Sequence, residues 1–421
     1  MLLGAVSLSL LCIFSWSCSS RHATFGSTTL VDESAADASD PQITAALKVI
    51  NEQPQSDKGY LQLAALYIRR ARETGDFNIN RKAMSAVDQA LEREPGSIAA
   101  RKLKFSLLAT FHRFGEARDM AAELRDQYPD DPYAYGILTD ANVELGDYDA
   151  ALQAAQKMID LKPNSSAYAR VGHLRSLYGN HSGAIEMMTL AARTADPRDK
   201  EAQSWCLVTM GKEFFKAGEF EKAEKVFDEA LQISPGYGLA LVEKARVRAA
   251  LGDYQVAADY LSRSQLRFPS PESLILSGDL YAIQGKKEEA EEKYREAEEV
   301  ARGLEGDLHR FALLWADHDT RLEESLELAK NDYAINKDIY AADILAWCLY
   351  KNGRLSEAQL AIDQAMRLNT NDARILYHAG MISKAMGDGK NARRLLTLSL
   401  QTNPGFDLLQ VGNARAALAN L

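Results

Sequence analysis

Residues able to do covalent chemistry are scarce in this chain. Its 421 residues hold four cysteines, and two of them, Cys12 and Cys18, fall within the first 18 positions. Only Cys206 and Cys348 remain for the body of the protein. They stand 142 residues apart, and a disulfide needs α-carbons within roughly 7 Å, so two buried free thiols are expected. Histidine is nearly as rare, with seven in all. There is no Gly-x-x-x-x-Gly-Lys loop, no Gly-x-Ser-x-Gly elbow, no His-Glu-x-x-His and no Cys-x-x-Cys. Sequence support is therefore missing for phosphate-loop hydrolysis, α/β-hydrolase chemistry, zincin-type proteolysis and dithiol redox work. The only local grouping of metal-type ligands is His309 and His318 with Asp317 and Asp319. A metal site wants convergent ligands with outer support, so this stretch reads as a polar turn between helices. No enzyme, cofactor or metal is expected. Positive charge is also short: 49 Lys and Arg face 59 Asp and Glu, a net charge of −10. Nucleic acid asks for a basic face, and that class of partner is set aside.

The longest apolar run, Leu2 to Phe14, is too short for a membrane span of about 20 residues but has the length of a secretory apolar region. Ser15-Trp16-Ser17 follows with small residues where a signal peptidase reads, and then comes Cys18. This order resembles the lipobox of bacterial lipoproteins, with Ser15 where Leu is usual. The resemblance implies removal of residues 1–17, acylation of Cys18, and an exported protein held on a membrane by its lipid, facing the periplasm or the outside. Plain cleavage after Ser17 would instead leave a soluble periplasmic or secreted protein. Residues 18–40 are rich in Ser, Thr, Ala and Asp. They bury too little to offset the entropy of ordering them, and they read as a flexible tether.

Beyond the tether one pattern recurs. Gly146-Asp147-Tyr148-Asp149-Ala150-Ala151, Gly218-Glu219-Phe220-Glu221-Lys222-Ala223 and Gly252-Asp253-Tyr254-Gln255-Val256-Ala257 are each followed, twelve residues after the last alanine, by a proline: Pro163, Pro235 and Pro269. Gly218 and Gly252 lie 34 residues apart. Gly, an aromatic, Ala and Pro at fixed offsets with this period resemble the tetratricopeptide repeat family. The resemblance covers residues 54–406 and implies an all-α fold, a right-handed α-solenoid superhelix of about ten TPR helix-turn-helix repeats, each buried by its neighbours. The repeats are expected to begin near Asp57, Ile98, Pro132, Ser165, Ser204, Gly238, Pro271, Gly306, Ile339 and Ala373. Residues 41–53 read as a leading helix and 407–421 as a C-terminal capping helix. Small residues such as Gly211, Gly278 and Gly380 on first helices face Ala223, Ala290 and Ala392 on second helices. Phe227, Tyr294 and Leu396, one turn after those alanines, are expected to fill the junction with the next repeat.

In such a solenoid the first helices line the concave side. On this register the inward positions include Lys102, Tyr133, Asp140, His173, Trp205, Lys212, Arg246, Trp347, Tyr350 and Tyr377. Aromatics interleaved with both signs of charge are the types enriched at binding hot spots. The resemblance thus implies a non-catalytic protein-protein interaction scaffold of the bacterial cell envelope, taking an extended peptide or a partner helix in the concave groove. A carrier of a glycan or other small ligand in the same groove, as in exopolysaccharide export, is the alternative.

Overall fold

The computed structural model describes residues 40–421 apart from 75, 77, 267–268 and 304–308. The leader, Cys18, most of the tether and the expected start at Gly306 lie outside the described residues. All regular structure among those described is helical. A leading helix, α1 (Pro41–Glu52), starts from the carboxylate of Asp40, which accepts the backbone N–H groups of Gln42 and Ile43. Ten antiparallel hairpins follow. They pair α2 (Asp57–Thr74) with α3 (Ile79–Arg93), α4 (Ile98–Thr110) with α5 (Phe114–Gln127), α6 (Pro132–Glu144) with α7 (Tyr148–Leu161), and α8 (Ser165–Leu177) with α9 (His181–Thr194). The central hairpins are α10 (Lys200–Lys216) with α11 (Phe220–Ile233), α12 (Gly238–Ala250) with α13 (Tyr254–Gln265), and α14 (Pro271–Ile283) with α15 (Lys287–Gly303). The last three are α16 (His309–Asp317) with α17 (Leu322–Ile335), α18 (Ile339–Lys351) with α19 (Leu355–Ala365), and α20 (Ala373–Ala385) with α21 (Gly389–Thr402). α22 (Gln410–Ala419) packs its Val411, Ala414 and Ala417 into the last core cluster.

Local chemistry sets these boundaries. Asp131, Asn164, Asp199, Asp338 and Asp372 cap first helices by accepting backbone N–H groups of the opening turn, which removes orphan donors. The fifth hairpin departs from the sequence reading, since α10 begins at Lys200 rather than Ser204, because Asp199 offers a cap four residues earlier. The turns inside the hairpins need a left-handed residue. Glycine supplies it at most of them, but His112 (φ 56°) does so in the second hairpin and Asp319 (φ 53°) in the eighth. The stretch Asp317-His318-Asp319 is thus a turn built without glycine, by a residue type that tolerates this conformation better than most.

In the fifth and seventh hairpins the first-helix glycine faces a ring rather than the alanine expected from sequence. Phe227 and Tyr294 lie directly over glycines of their own repeat: a Cβ on Gly211 would sit 2.3 Å from Phe227 Cε1, and one on Gly278 2.3 Å from Tyr294 Cε1. The glycines make room for the large ring of the facing helix, not for the small alanine beside it. Cys206 on α10 and Cys348 on α18 are buried free thiols, and burial pushes them up to about 11 and about 12, which leaves them unreactive thiols at neutral pH.

The solenoid does not stay open. The turn of the third hairpin meets the loop before α18: Lys337 N–H donates to Glu144 O at 2.7 Å and Ile339 N–H to the Tyr148 hydroxyl at 2.9 Å. Arg367 Nη2 reaches the Lys337 carbonyl at 2.5 Å and the Gly146 carbonyl at 3.4 Å. One repeat on, Asn371 Nδ2 donates to Gly179 O at 3.4 Å. One further, Asn403 Nδ2 donates to Phe215 O at 2.9 Å, and Gly405 lies against Ala250 of α12 and Phe220 of α11. Hairpins three and four therefore sit beside nine and ten, so about six repeats complete one superhelical turn. The second turn docks its between-repeat loops on the within-repeat turns of the first. A single apolar cluster accordingly joins Tyr148, Ala151 and Leu174 to Trp347, Leu376 and Phe406.

Candidate partner-binding lumen

Closure of the turn converts the concave side into a cavity of about 460 Å³. Side chains from eight successive first helices, α6 to α20, line it, together with the loops that precede α18 and α22. Eleven Asp and Glu side chains face it, against five Lys and Arg. Apolar walls come from Leu276, Leu313 and Ile344, and aromatic ones from Trp205, Phe215, Tyr340 and Phe406.

The charges form linked pairs around the wall. Arg170 and Asp140, 6% and 3% exposed, make a two-pronged contact at 2.9 and 2.6 Å. Glu213 accepts from Ser176 at 2.8 Å and pairs with Lys216 at 3.1 Å and with His181 Nδ1 at 3.1 Å. Burial would raise its carboxyl, but Lys216, His181 and Ser176 together hold it down at about 2. Glu243 links Lys212 at 3.6 Å to Arg246 at 3.3 Å, and Arg246 goes on to Glu272 at 2.6 Å. At the far side the acids crowd. Asp317 is pushed up to about 7, first by burial and then by repulsion from Asp407, and burial also raises Asp279, beside His318 and Tyr294. Burial, reinforced by Lys216 and Lys212, depresses His173 to about 4, so this imidazole is neutral at pH 7. Among the described residues no group of three His, Cys, Asp or Glu side chains is arranged to hold a metal ion.

Five of the ten residues assigned to the groove from sequence line this cavity: Asp140, His173, Trp205, Lys212 and Arg246. The other five do not. Lys102 lies on α4, before the closed turn, and Tyr133 at the start of α6 engages it, Tyr133 OH donating to Lys102 O at 2.7 Å while Lys102 Nζ pairs with Asp131 at 2.5 Å. Trp347 and Tyr377, each 1% exposed, are packing residues. Trp347 stacks between Tyr350 and His378, with ring centres 4.9 and 4.1 Å away, and Tyr377 packs on Phe406 and donates to Gln410 Oε1 at 3.0 Å. Trp347 still serves the cavity at one remove, because its Nε1–H donates to Asp317 Oδ1 at 2.8 Å. Sequence reasoning missed Arg170, Glu213, Glu272, Asp372, Arg374 and Asp407, and it noticed Asp317 only as part of a polar turn. Asp372 carried a signal, being a helix cap, but nothing marked it as facing a cavity.

Ten stacked hairpins of this kind define an α-solenoid. The family model for the tetratricopeptide repeat matches residues 102–166, 208–266 and 242–303, and these segments carry tetratricopeptide repeats. No curated protein matches it. Among solved structures it is similar to the Cut9–Hcn1 hetero-tetramer of APC/C, at 16% identity and a TM-score of 0.47, over 90% of this chain and 58% of that one. The chain thus spans little more than half the length of that relative. It is also similar to PilW, a widely conserved type IV pilus biogenesis factor, at 18% identity and a TM-score of 0.41, over 46% of this chain and 88% of that one. A tetratricopeptide repeat protein from Parabacteroides merdae matches at 15% identity and a TM-score of 0.42, over 64% and 98%.

Proposed function

We propose that the protein is a non-catalytic interaction scaffold of the bacterial cell envelope, and that its lumen receives a short cationic segment of a protein partner. The observation that carries this reading is the convergence of eight first helices on one cavity in which Asp and Glu side chains outnumber Lys and Arg eleven to five. Size narrows the occupant. The cavity of about 460 Å³ lies within the range of pockets that take small ligands, which suits a few extended residues. The same size favours a second reading, a carrier of a small ligand such as a sugar, since pockets for small molecules span about 300–1,000 Å³ and Trp205 offers a stacking platform.

Calorimetric titration with tri- to pentapeptides separates the two. Binding of Lys- or Arg-containing peptides, weakened by Asp317→Asn and Trp205→Ala, supports the scaffold. Binding of oligosaccharides with no response to basic peptides replaces it with the carrier. The envelope location rests on Cys18, outside the described residues. Fatty-acid labelling of the native chain but not of Cys18→Ala supports the anchor, and equal labelling removes it.

A further inference from the structure

The seam between the two turns buries carboxyl groups that no cation neutralises. Glu144 ends α6 and Asp338 caps α18; they are 3% and 4% exposed. Their backbones are pinned together by the bond from Lys337 N–H to Glu144 O, 2.7 Å long. Two further acids face them. Asp140, one turn earlier on α6, is committed to Arg170 of α8 at 2.6 Å. Asp332 of α17, 4% exposed, is held by the Asn336 amide at 2.6 Å. The basic residues at the seam are spent on carbonyls: Lys337 donates to Tyr333 O, and Arg367 to Lys337 O and Gly146 O, with its guanidinium 5.0 Å from the centre of the Tyr148 ring.

Asp338 is ionised in part by design of its position, because it accepts the N–H groups of Tyr340 and Ala341 at 2.6 and 2.9 Å. Glu144 has no such donors. It hydrogen-bonds to Asp338, and burial, then Asp338, Asp332 and Asp140, raise it well above the ordinary glutamate range. Burial also lifts Asp338, to about 6. A carboxyl–carboxylate pair of this kind joins two surfaces only while it retains a proton.

We propose that this seam is a proton-held latch: the two turns stay joined and the lumen enclosed while Glu144 is protonated, and its ionisation parts them and exposes the concave faces. The direction follows from proton counting. The closed seam holds a proton that the open one, with Glu144 in water, gives up. Opening therefore becomes easier as pH rises, by about tenfold per pH unit for one proton.

Hydrogen exchange of the Lys337 and Ile339 amides tests this, since both donate across the seam. Base-catalysed exchange already rises about tenfold per pH unit, and a one-proton latch adds another factor of about ten. The expected plot of log rate against pH, from about pH 6 upward, has a slope near two for these amides until the closed seam loses its proton. It has a slope near one for amides of α3, which lies outside the closed turn. Glu144→Gln returns the seam slope to one. If that variant does not fold, Asp338→Asn, which keeps a capping side chain, does the same. A slope of one in the native protein, a slope of two that survives the substitution, or a slope of two in α3 as well overturns the latch.

Discussion

Asn403 donates its side-chain amide to the backbone carbonyl of Phe215, 188 residues earlier in the chain, at 2.9 Å, while its own Oδ1 accepts Gly405 N–H. Solenoids are ordinarily stabilised only between nearest neighbours. Here a residue that is 2% exposed ties the end of the tenth hairpin to the fifth. Asn403→Ala removes this tie while Gly218 N–H, at 2.9 Å, still satisfies the Phe215 carbonyl, so the loss is about 0.5–1.5 kcal/mol. Urea unfolding of the variant is expected to show that loss together with faster hydrogen exchange in both α10 and the loop before α22. A loss confined to the loop would mean that the seam does not couple distant repeats.

The hairpin glycines separate backbone need from docking. Gly146 and Gly285 have nearly the same dihedral, φ 74° and 76°. Around Gly285 an added Cβ meets nothing within 4 Å, whereas at Gly146 it would stand 2.5 Å from the Lys337 carbonyl oxygen and 2.5 Å from Arg367 Nη2. Gly285→Ala is expected to cost about 1–2 kcal/mol, the strain of a left-handed L-residue. Gly146→Ala adds a backbone clash on top of that strain, so it costs more and widens the seam. Small-angle scattering should show a larger radius for Gly146→Ala alone. Equal behaviour of the two variants would argue against the docked turns.

These two glycines also mark how far the sequence carries the reader. Both were legible as turn residues, Gly146 from the full Gly-aromatic-Ala-Pro offsets and Gly285 from Ala290 five residues on. Neither pattern reports docking, since the difference lies in a contact with Lys337 and Arg367 six repeats away. Curvature comes from small rotations between neighbouring repeats that add up around the ring, and no local pattern reports their sum. For that reason Asp140, His173 and Trp205 were found as inward residues while Asp407 was not. It enters the cavity from a loop that only closure brings there. Trp347 went wrong for the same reason, because its register position is inward but α20 and its His378 cover it.

Two lumen groups give the stability profile opposite slopes. His173 sits at about 4 in the folded protein, below its ordinary 6.5, so the unfolded chain takes up the proton first and stability is lost as pH falls from 6.5 towards 4. Asp317 sits at about 7 rather than 3.8, so the folded state holds the extra proton and stability is lost as pH rises through that window. His173→Gln is expected to raise the urea midpoint at pH 4.5 relative to its effect at pH 7.5. Asp317→Asn, which retains an acceptor for Trp347 Nε1, is expected to do the reverse. Effects of one sign at both pH values would show that packing, not ionisation, governs these positions.

The Arg170–Asp140 pair distinguishes a stabilising contact from a demanding one. Its guanidinium also donates to Gly136 O at 3.1 Å and Ser166 O at 3.2 Å, so nearly every donor is used inside a region that is 6% exposed at Arg170. Asp140→Ala strands that cation away from water, and such breaks cost about 3–5 kcal/mol. Replacing both partners, Asp140→Leu with Arg170→Met, removes the charges together with their desolvation and is expected to cost much less, because the Gly136 carbonyl lies within α6 and keeps its intrahelical N–H partner. Urea unfolding of the two variants decides the matter: a double substitution as damaging as the single one would mean that the pair is worth more than the water it displaces, and that the lumen wall depends on it for stability.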